Sequence, residues 1–338
     1  MSILLKENRY SRQTLLPEIG KVGQRKLGAA SVLVVGCGAL GTHASSLLAR
    51  AGVGEVRIID RDVVDITNLQ RQSLFTEADV GRPKAKVAEE QLRRVNSEID
   101  IEGLVADLNH TNAERLVKRA DVVVDATDNM ETRFLLNDAC VKNGVPWIYG
   151  GAVGVGGMVL AIGPRGPCLR CLFPSLPQPG ELPTCDTAGI VNTLPSVIAS
   201  FEVTEAFKVI IGAAPTKELI VVDVWSEEVQ KVRVAKDPHC RCCGEKDFEF
   251  LMAKTRKLAV SLCGRNAVQI VPAKPRTGDL ASIRNRLSKL GTVTVSDGVL
   301  RFRSKDADLT VFPDGRTVVS GTTDPAAAKT AFSKYIGD

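Results

Sequence analysis

The stretch Ser31–Asp60, SVLVVGCGALGTHASSLLARAGVGEVRIID, decides the fold. Val32, Leu33, Val34 and Val35 form an apolar run with the composition of a buried strand. The run breaks into Gly36, Gly38 and Gly41, then an apolar-periodic helix and a second strand ending on Asp60. Strand, G-x-G-x-x-G, helix, strand and a terminal acid make a dinucleotide-type βαβ unit. Glycines let the backbone turn tightly and approach a phosphate, while the helix N-terminus offers free N–H groups and its positive dipole end. Asp60 ends the second strand, where its carboxylate can accept hydrogen bonds from ribose hydroxyls. NAD, FAD and ATP all satisfy this pattern.

Working outward, 338 residues suit one large domain plus a smaller one. The net charge of +5 is spread thinly, with no run of like charges, which argues against nucleic acid and membrane surfaces as partners. No apolar stretch approaches the roughly 20 residues that span a bilayer, and MSILLKENRY lacks the apolar core of a signal peptide. Nine cysteines without such a signal point to thiols in a reducing compartment, hence the cytoplasm.

Ahead of the βαβ unit, Arg9 and Arg12 precede an apolar patch of Leu15, Leu16, Ile19 and Val22. After it comes a polar loop with Asp62, Asn68, Arg71 and Gln72. Pro83 reads as the first residue of a helix with Lys84 in its first turn. That is an unfavourable end for a cation unless an anion lies nearby. The alternation continues with strands at 101–108, 121–126 and 146–149 and helices at 111–120 and 131–143. Ligands of parallel sheets sit outside the carboxyl ends of strands, which places Asp128 over the nucleotide. A carboxylate beside phosphates suits Mg²⁺; alternatively Asp128 or Asn129 caps the following helix. Residues 150–163 read as irregular strand, 199–211 as a helix and 219–225 as a strand.

Cys168-Leu-Arg-Cys171 and Cys240-Arg-Cys-Cys243 are two C-x-x-C pairs, the makings of a tetrahedral Cys₄ zinc site. Spacing favours Cys240 and Cys243 over Cys242 in the second pair. Between the pairs a proline-rich loop carries Cys185, either an exposed thiol without a task or a nucleophile presented to a bulky partner. Residues 250–338 form a small α+β unit: a strand or hairpin over 258–271, a helix at 279–290, strands at 292–303 and 307–319, and a final helix capped by Asp324. Cys263 reads there as a buried small hydrophobe.

Two classes of function fit. Hydride transfer with NAD(P) uses the same fingerprint, but with His43, His110 and His239 the only histidines an acid/base is hard to place. Adenylation needs cations on a triphosphate and Mg²⁺, which Arg12, Arg71, Lys84 and Asp128 suit together. R-Y-x-R-Q at Arg9–Gln13, G-x-G-x-L-G at Gly36–Gly41, N-L-x-R-Q at Asn68–Gln72, G-x-P-K at Gly81–Lys84 and T-D-N at Thr127–Asn129 resemble the ThiF/MoeB family, bacterial relatives of ubiquitin-activating enzymes. The two cysteine pairs and Thr184-Cys185 match as well.

The resemblance covers about residues 5–250. It implies a Rossmann-like α/β domain over 1–249, with a mostly parallel sheet, helices on both faces and a structural zinc; 250–338 would be a separate small domain. It further implies a homodimer that uses ATP and Mg²⁺ to adenylate the C-terminal glycine of a ubiquitin-like sulfur carrier ending in Gly-Gly, as in molybdopterin or thiamin chemistry. Gly36, Gly38 and Gly41 would approach the nucleotide, and Asp60 would hold the ribose with Asp62 beside it. Asn68, Arg71 and Lys84 would hold phosphates, Asp128 the Mg²⁺, and Arg12 would reach the ATP of the other protomer. Cys185 matches a cysteine that bonds the carrier covalently in some members. Sulfur-transferring relatives often end in a rhodanese domain. Cys263-Gly264-Arg265 does not open such a persulfide loop, so a separate sulfur donor is expected. The extension is a candidate for binding the carrier or another partner.

Overall fold

The computed structural model describes residues 9–178, 180–252, 259–262, 266–272 and 280–337; of Asp186 and residues 259–262 it describes the backbone alone. Cys263–Arg265, and with them the expected buried thiol and the missing persulfide loop, lie outside the described residues. The chain divides into two compact units, Met1–Val80 with Lys84–Ala253, and Gly81–Pro83 with Lys254–Asp338.

The first unit is built on an eight-stranded sheet of order β3-β2-β1-β4-β5-β6-β7-β8. Its strands are β1 Ser31–Val35, β2 Glu55–Asp60, β3 Asp100–Val105, β4 Val122–Asp125, β5 Trp147–Val153, β6 Gly156–Ile162, β7 Leu219–Asp223 and β8 Glu228–Val232. The strands from β3 to β5 pair in parallel, and β5 to β8 are antiparallel. Side chains alternate across a strand. Val32 and Val34 therefore enter one core with helices Ala39–Ala51, Lys84–Val95 and Leu194–Ile211. Leu33 and Val35 enter a second core with helix Met130–Asn143. Both faces are covered, as a mostly parallel sheet requires.

Two expectations are corrected, and one strand is new. Residues 150–163 are not irregular: β5 and β6 pair in full register from Trp147↔Ile162 to Val153↔Gly156. Their glycines serve packing, since a Cβ on Gly157 would stand 2.6 Å from Ile198 of the covering helix. That helix starts at Leu194 rather than Ala199, with Pro195 in its first turn, where a missing N–H costs nothing. β8 was not visible in the sequence because every residue of it is exposed and its composition carries no inward face.

The second unit is a six-stranded antiparallel sheet of order β11-β12-β13-β14-β10-β9. Its strands are β9 Ala259–Leu262, β10 Ala267–Ile270, β11 Thr292–Ser296, β12 Val299–Arg303, β13 Asp308–Val311 and β14 Thr317–Ser320. Helices Leu280–Leu287 and Pro325–Tyr335 contribute Leu287, Ala328, Phe332 and Tyr335 to its core. Asp324 caps the second helix by accepting from Ala326 N and Ala327 N. The stretch 292–303 is a hairpin rather than one strand, turning at Asp297-Gly298 with positive φ at both residues.

Candidate active site

The glycine loop follows the carboxyl end of β1, beside the end of β4. Gly36 has φ +95°, and a Cβ there would stand 2.5 Å from the Ala126 carbonyl oxygen; one on Gly41 would overlap the Gly36 carbonyl. Those two glycines let chain segments meet. Gly38 differs, because a Cβ there would meet only the Gln72 amide nitrogen, at 3.9 Å, so the backbone is unobstructed at the start of helix Ala39–Ala51. A phosphate at a helix N-terminus occupies such a position.

Asp60 is buried and accepts from Cys37 N at 2.6 Å and Asp62 N at 2.7 Å. Burial raises its pKa, Asp62 adds to the rise, and Lys84 opposes it. Lys84 opens its helix, one residue later than the expected Pro83 start, and the residue is only 1% exposed. Its ion-pair partner is Asp62, no closer than 3.9 Å. Asn68 closes a capping box with Asp65, and Arg71 donates to the Thr67 carbonyl at 3.0 Å. Asn129 takes the cap of helix Met130–Asn143 by accepting from Thr132 N at 2.8 Å, which leaves the Asp128 carboxylate exposed at the end of β4.

Arg12 is not brought to this loop. Tyr10 fills the space that a Cβ on Gly52 would need and accepts from Asn96 Nδ2 at 2.8 Å. Arg9 donates to the Val95 carbonyl, and Gln13 to the Ala51 carbonyl. These contacts fasten the segment to the C-terminal end of helix Ala39–Ala51, about 20 Å long at 1.5 Å per residue, whose other end holds the glycines. Arg9, Tyr10 and Gln13 are thus anchors, while Arg12 stands exposed.

The structure brings Cys168, Cys171, Cys240 and Cys243 together, with all four sulfurs within 4.8 Å of one another. The Cys168–Cys240 and Cys171–Cys243 Sγ distances are 3.6 and 3.5 Å. Four thiolates about 2.3 Å from a central zinc would stand about 3.8 Å apart, so the donor set fits. Cys242 instead accepts from Asn137 Nδ2 at 3.1 Å, and Asn137 Oδ1 accepts from Leu169 N at 2.9 Å. One buried amide therefore ties both cysteine loops to helix Met130–Asn143. Cys185 opens the short helix Cys185–Ala188, its thiol 3.5 Å from the Ala152 carbonyl.

Sequence reasoning missed a buried cluster beneath the Thr127–Asp128 turn. Arg133 donates to Asp125 Oδ2 at 3.1 Å, the Thr127 carbonyl at 2.7 Å and the Gly150 carbonyl at 2.8 Å, and lies over the Tyr149 ring. Glu202 presses its carboxyl against Gly150, wholly buried, with no hydrogen-bond partner on either oxygen. The available signal was a polar stripe, Asn129, Arg133 and Asn137, at i, i+4 and i+8 on one helix face.

Burial, reinforced by Asp125, pushes the Glu202 pKa well above its ordinary 4.5. A carboxyl whose folded pKa is raised gives its full stability below the unfolded value and loses it as pH rises toward the folded one, by up to about 1.4 kcal/mol per pH unit. Glu202→Gln is therefore expected to gain stability over the native chain progressively from pH 5 to pH 8. Thermal melts across that range should diverge; parallel curves would show that no proton is held there.

A doubly covered α/β sheet with a glycine loop at the carboxyl ends of β1 and β4, a buried lysine near it and a Cys₄ cluster defines a nucleotide-binding class in which the site lies at the strand ends. Residues 10–242 match the ThiF family, and the chain belongs to it. The sulfur carrier protein ThiS adenylyltransferase of Bacillus subtilis (strain 168) is 44% identical over 335 residues, 97% of this chain and 99% of that one. The SAMP-activating enzyme E1 of Haloferax volcanii is 40% identical over 240 residues, 70% of this chain and 89% of that one. The crystal structure of E. coli MccB with ATP aligns with TM-score 0.61 and 27% identity, over 71% of this chain and 79% of that one. The family uses ATP, and the hydride-transfer reading finds no support among these relatives. No helix among the described residues is long and apolar enough to cross a membrane.

Proposed function

We propose that this chain adenylates the C-terminal glycine of a ubiquitin-like sulfur carrier ending in Gly-Gly. The observation that carries the reading is the buried, loosely paired Lys84, within electrostatic reach of Asp60 and of Cys37 in the glycine loop: a cation waits near where a triphosphate would lie. The loop N–H groups hold the phosphates with Asn68, Arg71 and Lys84, while Asp60 holds the ribose. The carrier's carboxylate oxygen attacks the α-phosphorus, the bond to pyrophosphate breaks, and an acyl adenylate remains. Charge neutralisation and alignment supply the rate, since no proton need move at phosphorus. Asp128, exposed and free of the cap, is the carboxylate suited to Mg²⁺, which when bound would neutralise phosphate oxygens. The Cys₄ set would hold zinc as a tetrahedral cross-link.

Arg12, anchored away from its own loop, serves the site of a second copy in a homodimer. Residues 1–249 form the adenylating domain; 250–338 are a separate domain, and the alignment with the Bacillus relative includes them. The thiol-rich composition suits the cytoplasm, and sulfur comes from a separate donor. Labelled pyrophosphate should exchange into ATP only when a carrier ending in Gly-Gly is present, and no exchange with any such carrier would overturn the reading. Loss of sulfur transfer but not exchange in Cys185→Ala would assign the thiol to the covalent step.

A further inference from the structure

Parallel pairing between β4 and β5 is short. The register holds Val123↔Trp147 and Val124↔Ile148, and no registered pair follows. Beyond it the strands part, and β4 runs into the Thr127–Asp128 turn. Carbonyls that lose a ladder partner near a protein interior need another donor. Arg133 supplies it on both sides of the opening, to Thr127 on the β4 side and Gly150 on β5. The same guanidinium meets Asp125, whose other oxygen accepts from Thr127 N at 2.9 Å and Thr127 Oγ1 at 2.7 Å. Thr127 is thus gripped at its carbonyl by Arg133 and at its N–H and hydroxyl by Asp125. Asp128 is the next residue.

We propose that Arg133 is a positioning residue for adenylation: its fork locks Thr127 between β4 and β5 and so fixes where Asp128 presents its carboxylate. The inference rests on the adenylation reading for the role of Asp128. Geometry makes arginine specific here. Three acceptors in different directions match a planar, multi-donor guanidinium, whereas a lysine is a point charge on a flexible stem. Arg133 itself is far from free to reach a ligand, with its donors committed to the chain. The neighbouring Glu202 carboxyl makes no hydrogen bond to it; Asp125 is its ion-pair partner, and Asp128 adds a longer-range attraction.

The test uses Arg133→Lys and the double variant Arg133→Met/Asp125→Asn, which removes both charges while Asn can still accept from Thr127. Folding is checked by thermal melt and zinc content. Calorimetry then measures AMP, ATP without Mg²⁺ and ATP with Mg²⁺. AMP affinity is expected to stay near the native value in both variants, because AMP needs the glycine loop and Asp60 and not Asp128. The gain in ATP affinity on adding Mg²⁺ should be lost in the double variant and reduced in Arg133→Lys. Pyrophosphate exchange should fall by about 100-fold in the double variant, the effect of a misplaced group of about 1 Å, chiefly in kcat. A native Mg²⁺-dependent gain, or an equal loss of AMP and ATP·Mg²⁺ affinity, would overturn the proposal. Should the double variant not fold, Arg133→Lys decides by the same two readouts. If the native chain shows no exchange with any carrier, adenylation fails, while the nucleotide-binding arm still decides the role of Arg133.

Discussion

Lys84→Met is expected to lower pyrophosphate exchange by about 10²–10³-fold, the loss typical of removing one preorganised charge from a transition state. Thermal stability should not fall. Lys84 is 1% exposed, and the acid partner of its ammonium stands 3.9 Å away, too far for a direct hydrogen bond. A buried cation with so loose a partner is costly to desolvate, and a methionine of similar length removes that cost, which offsets the loss of the charge that favours ionised Asp60. Protein folding and protein function therefore pull this position in opposite directions, as strained or charged sites commonly do. A parallel loss of activity and of melting temperature would mean that Lys84 holds the fold instead. Full activity in the variant would remove the triphosphate from this corner of the site.

Removing the metal, or Cys168→Ser, is expected to unfold the first unit near room temperature. A structural zinc contributes on the order of 10 kcal/mol in apparent folding free energy, and whole domains are stable by about 5–15 kcal/mol. The four sulfurs join chain segments 72 residues apart, so their release frees a long closed loop as well as a ligand shell. Cys242→Ala serves as the control, because Cys242 accepts from Asn137 outside the four-sulfur group. Metal analysis should find one zinc per chain in that variant and none in Cys168→Ser. Equal zinc loss in both would make Cys242 a ligand.

The parallel half of the sheet was legible because its signals are local: β-branched runs of four residues, glycines at fixed offsets, an acid at a strand end. The cysteine pairs were legible for the same reason, chemistry at fixed spacing. What escaped is set by partners distant in sequence. Glu202 looks like a surface residue of an apolar helix until β5 covers it at Gly150, and Arg133 looks like a solvated helix charge until two strand ends part above it. The hairpin at Asp297-Gly298 was read as one strand because the alternation continues across a turn of only two residues. For the proposed nucleotide site, the sequence picks out residues by motif spacing and overlooks Arg133, which holds the Thr127 turn from beneath.

The Cys185 loop has a further consequence as a tether. On one side the chain is pinned at Ile190, which bridges to Gly154; on the other it leaves the cysteine cluster at Cys171. Five residue steps lead from Cys185 to Ile190, and an extended chain spans at most about 3.5 Å per residue. Even with its short helix undone, the thiol can sweep no more than about 17 Å from that pin. On the proposed adenylation reading, a reactive end delivered to the strand tips would meet the thiol at an effective concentration in the millimolar range typical of short linkers. Lengthening the segment between Cys185 and Ile190 would dilute that encounter without altering a single contact at the nucleotide.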